Sequence, residues 1–105
     1  DPEVYPAEVH SFSMEKSYTI RVSKRYLDED DRVLLVDDIL ASGQATLGLL
    51  EIVSKAGAEV AGVGVAIEKA TKDGGSVLRR MGIRVESLEV VSHVEDGRII
   101  LAGED

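Results

Sequence analysis

Residues 33–46 read Val33-Leu34-Leu35-Val36-Asp37-Asp38-Ile39-Leu40-Ala41-Ser42-Gly43-Gln44-Ala45-Thr46. The four apolar residues 33–36 predict a strand that is buried on both faces, and two adjacent acids follow at its carboxyl end. A turn of small residues comes next, and helical spacing begins at Gln44 or Ala45. This order is typical of an open α/β sheet, in which ligands bind beyond the carboxyl ends of the strands.

Each part of this stretch has a structural interpretation beside a functional one. The amides of the turn 41–43 and the positive end of the following helix suit a phosphate, although Ser42 or Thr46 could cap that helix without any ligand. Asp37 and Asp38 repel each other unless they are solvated, hydrogen-bonded or paired with a cation. They suit a ligand with hydroxyl groups or a metal, or they only cap the strand. The spacing matches neither a Walker A loop nor a dinucleotide-binding glycine fingerprint.

The segments after this stretch predict a βαβ unit with parallel strands. Apolar residues at helical spacing indicate a helix over 45–55, and Gly57 supplies its left-handed stop. The apolar run 60–67 indicates a second buried strand. Glu68-Lys69 ends that strand at the same sheet edge as the acid pair. Lys69 therefore either contacts a ligand oxygen or lies on the surface.

The remaining segments predict hairpins at both ends of a single α/β domain. Residues 1–8, which hold both prolines, are predicted to be a loop, and residues 9–22 a β-hairpin. The candidate buried side chains of this hairpin are Phe12, Tyr18, Ile20 and Val22. A short helix over 76–81 leads to a strand over 84–91 and a final hairpin. The predicted order is β-hairpin, β, α, β, α, β, β.

Composition excludes several classes of function. The chain has 105 residues, a net charge of −8 and no cysteine, so disulfides, thiolate metal sites and cysteine nucleophiles are excluded. No basic face suits direct nucleic-acid binding, and no apolar run reaches the ~20 residues of a membrane span. The four acids at 28–31 are interpreted as a solvated loop. His10 and His93 belong to no metal-ligand or triad pattern in the sequence and are interpreted as ordinary histidines.

Residues 33–46 as a whole resemble the phosphoribosyl-diphosphate (PRPP) binding motif of type I phosphoribosyltransferases. The motif consists of four apolar residues, two acids, two apolar residues and a small glycine-containing loop. Residues 9–13, 49–57, 62–69 and 82–88 also look like the bacterial branch of this family that acts on xanthine. The resemblance implies an open, mainly parallel sheet with flanking helices and β-hairpins. It also implies a cytoplasmic, homodimeric glycosyltransferase of purine salvage, which converts PRPP and xanthine to xanthosine monophosphate and diphosphate.

The resemblance further implies a role for each matched residue. Asp37 and Asp38 match acids that contact the ribose hydroxyls, directly or through Mg²⁺ and water, and they are the predicted catalytic residues. Lys69 matches the lysine that faces the exocyclic oxygen of a 6-oxopurine. Residues 1–8 match a mobile loop that closes over the reacting centre. The loop for the 5-phosphate of PRPP matches Ala41, Ser42, Gly43, Gln44, Ala45 and Thr46.

Two departures from the family pattern bear on these expectations. Ala41 stands where hypoxanthine-guanine enzymes carry the acid that handles the purine ring proton, which favours the xanthine or adenine branch. Family members also have a first half with the initial core strands, the diphosphate-contacting loop and much of the base-binding hood. The chain is therefore expected to be the C-terminal part of such an enzyme, with residues 33–105 as its PRPP-binding core and C-terminal hairpin.

Two other functions stay open at this point. A transcriptional regulator with a phosphoribosyltransferase fold would use PRPP only as an effector and would carry a DNA-binding module upstream. A βαβ domain that binds another phosphate or nucleotide is the third interpretation. Saturable binding of Mg²⁺·PRPP that depends on Asp37 and Asp38 would exclude this third possibility.

Overall fold

The computed structural model describes residues 3–11 and 14–103. Within them, six strands and two helices follow in the order β1 Val4–Ser11, β2 Lys16–Ser23, β3 Arg32–Leu40, α1 Gln44–Ala56, β4 Glu59–Lys69, α2 Gly74–Arg80, β5 Val85–Glu95 and β6 Arg98–Leu101. β1 and β2 form an antiparallel two-stranded sheet, and the other strands form a sheet in the order β3-β4-β5-β6. β4 and β5 run parallel, whereas β5 and β6 run antiparallel. The predicted α/β class and order of elements are confirmed.

The chain divides into two compact units, and each is described by itself. The first unit comprises Asp1–Leu35 and Gln44–Ala61, and the second comprises Val36–Gly43 and Gly62–Asp105. The division therefore passes through β3 and β4. Neither described helix is long and apolar enough to cross a membrane.

In the first unit, α1 packs on the β1–β2 hairpin. Gly48 lies at this contact, where a Cβ would come within 2.6 Å of Val9 Cγ2 and 3.3 Å of Ile20 Cδ1. Ile52 is buried one turn further along the same helix. Gly57 has a φ of 72° and ends the helix in the left-handed conformation that the sequence predicts.

In the second unit, α2 and the strands β4 and β5 share a small apolar core. Leu78 of α2 is fully buried, and Val63 and Val85, which pair across the two parallel strands, are buried as well. The predicted turn between β5 and β6 is present, and both of its central residues, Asp96 and Gly97, have positive φ.

The first strand corrects the prediction of a loop over residues 1–8. Val4 to Glu8 belong to β1, and Pro6 pairs with Arg21 of β2. Proline is tolerated there because β1 pairs only with β2 among the described residues, and a strand at the edge of a sheet can lack one N–H at little cost. Tyr18, a candidate for a buried face of the hairpin, is instead 40 % exposed. Residues 1, 2 and the predicted core residue Phe12 lie outside the described residues.

β3 is longer and less buried than the sequence predicts. The strand does not end at Val36 but continues through both acids to Leu40. Leu34 and Val36 are 62 % and 72 % exposed, so the prediction of burial on both faces is wrong. An apolar run shows that a strand can be covered on both faces, but the covering layer comes from segments distant in sequence.

Candidate active site

The acid pair lies near the end of β3, where Asp37 is half-buried and Asp38 is exposed. Asp37 Oδ1 accepts a hydrogen bond of 2.8 Å from the amide N–H of Asp38. Asp38 Oδ1 accepts one of 2.8 Å from the amide N–H of Ile39. These local bonds orient both carboxylates.

The pKa of Asp37 is raised from its ordinary value, chiefly because partial burial removes water from its carboxylate. The backbone N–H of Asp38 acts in the opposite direction, and the side chain of Asp38 raises the pKa further. A carboxylate whose charged form is disfavoured in this way gains from a nearby cation or hydrogen-bond donor. The pair is therefore suited to a ligand that brings hydroxyl groups or a metal ion.

The turn at residues 41–43 follows Leu40, which is buried. Gly43 has a φ of 82°, a conformation that glycine adopts without the penalty other residues incur. The amide of Gly74 donates a hydrogen bond of 2.9 Å to the carbonyl of Ala41. A Cβ on Gly74 would collide with that carbonyl oxygen and lie 2.8 Å from the nitrogen of Gly43. The turn thus rests directly on the backbone at the start of α2.

The first turn of α1 begins at the residue after Gly43. Gln44 and Ala45 are half-buried, and Thr46 is buried. No acidic side chain lies in this first turn. The partial positive charge of the helix start is therefore not neutralised by the helix itself, which favours an anion near its free N–H groups.

Lys69 is the last residue of β4, the strand next to β3 in the sheet, and it is exposed. The end of β4 is held by a hydrogen bond of 2.8 Å from the amide of Ala70 to the carbonyl of Val91. Lys69 belongs to the second unit, together with the acid pair and the turn 41–43. The remaining predicted phosphate-loop residues, Gln44 to Thr46, belong to the first unit.

An ion pair beside this site was not singled out from the sequence. Arg79 of α2 donates from Nη1 to Glu68 Oε2 at 2.7 Å and from Nη2 to Glu68 Oε1 at 2.8 Å. Ser87 Oγ donates to Glu68 Oε1 at 2.6 Å. The sequence offers no specific signal for this ion pair, because Glu68 and Arg79 lie in separate elements and Gly74-Gly75 is compatible with an ordinary loop.

The ion pair also makes a pH-dependent contribution to stability. Hydrogen bonds from Arg79 lower the pKa of Glu68 against the opposing effect of burial, and Ser87 lowers it further. A lowered carboxyl pKa gives stability that is complete above the ordinary pKa and is lost as the pH falls through the lowered value. The glutamate side chain is 8 % exposed and the arginine side chain 45 % exposed. The contribution therefore lies between that of a surface pair and that of a buried pair.

Arg79→Gln is expected to lower the free energy of unfolding at neutral pH by about 1–2 kcal/mol, since Glu68 loses a charged donor. This difference from wild type should shrink as the pH falls and Glu68 becomes protonated. Thermal unfolding of the complete protein between pH 7 and pH 3 measures it. Arg84→Gln is the matched control because its pair with Glu86 is 77 % and 71 % exposed. A difference for Arg79→Gln that does not change with pH would contradict this account.

Comparisons with known proteins agree with one another on the family. A family profile described as a phosphoribosyl transferase domain matches residues 2–94. A xanthine phosphoribosyltransferase of Ruminiclostridium cellulolyticum is 50 % identical over 99 residues, which are 94 % of this chain and 52 % of that protein. One of Bacillus cytotoxicus is 51 % identical over 96 residues, which are 91 % of this chain and 49 % of that protein. The chain spans about half the length of the curated relatives it matches.

Solved structures give the same fold. An adenine phosphoribosyltransferase (APRTase) from Giardia lamblia, in complex with 9-deazaadenine, superposes with a TM-score of 0.77 at 29 % identity. The match covers 87 % of this chain and 51 % of that one. An adenine phosphoribosyltransferase from Thermoanaerobacter pseudethanolicus gives a TM-score of 0.72 at 25 % identity, covering 84 % and 48 %. These matches confirm the predicted fold class.

Proposed function

This chain belongs to the phosphoribosyltransferase family, and we propose that it forms the PRPP-binding part of an enzyme that transfers 5-phosphoribosyl to xanthine. One observation carries the proposal: an oriented acid pair, a glycine-containing turn and an acid-free helix start follow one another within residues 37–46. The two curated relatives described above are both named xanthine phosphoribosyltransferase. The proposed products are xanthosine monophosphate and diphosphate.

The 5-phosphate of PRPP is proposed to bind residues Ala41, Ser42, Gly43, Gln44, Ala45 and Thr46. Backbone N–H groups of the turn and of the first turn of α1 supply hydrogen bonds and partial positive charge. This explains how a chain with a net charge of −8 can bind a polyanion. The favourable field is local and comes from the backbone rather than from basic side chains.

The ribose is proposed to lie against Asp37 and Asp38. Their carboxylates accept hydrogen bonds from the ribose hydroxyls or contact Mg²⁺, whose preferred ligands are oxygen atoms. No cluster of three or more candidate metal ligands occurs among residues 3–11 and 14–103. Two carboxylates fit an ion that is bound mainly by water and substrate phosphates, which is the common arrangement for Mg²⁺. When bound, Mg²⁺ neutralises charge on the departing diphosphate.

The proposed reaction requires positioning and charge stabilisation rather than a protein nucleophile. A purine ring nitrogen forms the bond to the anomeric carbon and loses its proton to water, and diphosphate leaves with the electron pair of the broken C–O bond. The turn and the acid pair hold the ribose 5-phosphate while positive charge develops at that carbon. The carboxylates of Asp37 and Asp38 also favour that charge electrostatically.

The choice of xanthine over adenine rests on Lys69 and on sequence identity. An ammonium group is a donor only, so it suits the exocyclic oxygen of a 6-oxopurine and not the amino group of adenine. The relatives near 50 % identity are named for xanthine, whereas the structural neighbours at 25–29 % are named for adenine. Lys69 is exposed at the end of β4 and is available to a ligand.

Lys69→Ala is expected to raise KM for xanthine by roughly 10–100-fold, the cost of one charged hydrogen bond, with KM for PRPP changed less than about threefold. Steady-state kinetics of the complete protein with each substrate varied in turn measures both constants. Lys72→Ala, at an exposed lysine three residues further on, is the matched control and should change neither constant. An equal rise in KM for xanthine and in KM for PRPP would contradict a specific role of Lys69 in purine recognition.

A purine panel with Mg²⁺·PRPP and the complete protein tests the proposed function. Formation of nucleotide from xanthine in preference to hypoxanthine, guanine and adenine is the expected result. No product from any purine would contradict the proposal. Retained binding of PRPP in that case would favour a regulator that uses PRPP as an effector.

A cytoplasmic location and a homodimer are proposed from the family alone, and sedimentation of the complete protein tests the dimer.

A further inference from the structure

The ion pair of Glu68 and Arg79 lies in the second unit and is not among the residues assigned to a ligand. We propose that these two side chains are positioning residues for the turn 41–43, on which they act through Gly74 and Gly75. The inference rests on the proposed function, in which this turn holds the 5-phosphate of PRPP. Three contacts, taken in order from the ion pair to the turn, carry it.

The first contact fixes the carboxylate of Glu68. Both of its oxygens accept from the guanidinium of Arg79, at 2.7 and 2.8 Å, in a planar arrangement that lysine cannot reproduce. Ser87 adds a third donor from β5. Arg79 Nη2 also lies 3.4 Å from the carbonyl oxygen of Val85, so the guanidinium joins α2 to β4 and β5. The carboxylate has little freedom to rotate.

The second contact places the start of α2 against this carboxylate. A Cβ on Gly75 would collide with a carboxylate oxygen of Glu68 and lie 2.8 Å from its Cδ. It would also lie 2.9 Å from Nη1 of Arg79. The backbone of Gly75 therefore packs directly against the ion pair, with no side chain between them.

The third contact passes from Gly74 to the turn. The amide of Gly74 donates to the carbonyl of Ala41 at 2.9 Å. Its Cα lies 3.1 Å from the position of a Cβ on Gly43, so the two backbones are in direct contact. A shift of α2 away from β4 would break this hydrogen bond and leave the turn without its support.

Lys69 does not depend on the same support. It follows Glu68 in β4, and successive side chains of a strand point to opposite faces. The end of the strand is held by pairing of Lys69 with Val91 and by the bond from the amide of Ala70 to the Val91 carbonyl. Loss of the ion pair should therefore affect phosphate binding and leave purine recognition unchanged.

Arg79→Gln in the complete protein is expected to raise KM for PRPP by about tenfold, with kcat and KM for xanthine within about twofold of wild type. Arg79→Lys keeps the charge but loses the two-point contact, so its KM for PRPP should be intermediate. If Arg79→Gln does not fold, the KM of Arg79→Lys for PRPP tests the inference instead. Arg84→Gln, at an exposed ion pair of the same unit, should leave KM for PRPP unchanged. A lower kcat and thermal midpoint with unchanged KM for PRPP would overturn the inference, because a purely structural role predicts that pattern.

Hydrogen exchange of the Gly74 amide, measured without ligand, separates this inference from the proposed function. We expect faster exchange at Gly74 in Arg79→Gln than in wild type or Arg84→Gln. Unchanged exchange would overturn the positioning role even if PRPP binds. A wild-type protein that does not saturate with Mg²⁺·PRPP would overturn the proposed function instead, and the exchange of Gly74 would still show whether the ion pair holds the turn.

Discussion

The double substitution Asp37→Asn and Asp38→Asn is expected to weaken binding of Mg²⁺·PRPP by at least about 100-fold, since two charged acceptors are lost. Asparagine retains an acceptor oxygen for the local bonds that the amides of Asp38 and Ile39 donate. The backbone of β3 should therefore keep its conformation. Isothermal titration of the complete protein with PRPP in excess Mg²⁺ measures the change.

The pKa of Asp37 shows why loss of folding should not explain this result. Partial burial raises that pKa, so the ionised form destabilises the native state as the pH rises through the raised value. An asparagine in its place carries no charge and should leave stability at neutral pH equal to that of wild type or slightly higher. Asp30→Asn, in the exposed acidic loop, is the matched control and should leave binding unchanged. Equal binding by wild type and the double variant would exclude the acid pair from the PRPP site.

Gly43→Ala is the second substitution with a large expected effect. A residue with a Cβ costs about 1–2 kcal/mol in the left-handed region, where Gly43 has a φ of 82°. That Cβ would also lie 3.1 Å from the Cα of Gly74, which is backbone and cannot rotate away. We expect the turn to shift and the affinity for Mg²⁺·PRPP to fall roughly 10–100-fold, as amide hydrogen bonds to the phosphate are lost.

Gly97→Ala separates the backbone cost of a Cβ at positive φ from the crowding of Gly74. Gly97 has a φ of 78°, and a Cβ there would meet nothing within 4 Å. This substitution has the same backbone cost of about 1–2 kcal/mol of stability, without crowding the turn. Its affinity for PRPP should match that of wild type. A similar loss of affinity in both variants would show that general destabilisation, rather than the shape of the turn, controls binding.

The sequence predicted elements well where the pattern is local. The spacing of apolar residues in α1, the stop at Gly57 and the turn at Asp96-Gly97 depend on neighbours along the chain, and all three are confirmed. Pro6 misled the prediction of β1, because proline is a poor strand residue in general but is tolerated at an edge. Edge position depends on pairing with residues far along the sequence, so it was not visible from local pattern.

The burial of the site residues and the contacts that support them could not be predicted from the sequence, and the chemical roles of these residues stay predictions. The acids, the turn and Lys69 were singled out from residue type and position. The exposure of Leu34 depends on which segments cover the sheet, and no periodicity encodes that. The contacts of Gly74 with the turn and of Arg79 with Glu68 join residues from separate elements. A single sequence shows such residues only as ordinary glycines and charges.

Amide chemical shifts of the isotopically labelled complete protein, titrated with Mg²⁺·PRPP, test the central claim most directly. We expect saturable shifts that are largest over residues 37–46 and are absent in the variant with asparagine at both acid positions. Saturable shifts centred on other residues, or no shifts at all, would contradict the assignment of this stretch as the PRPP site.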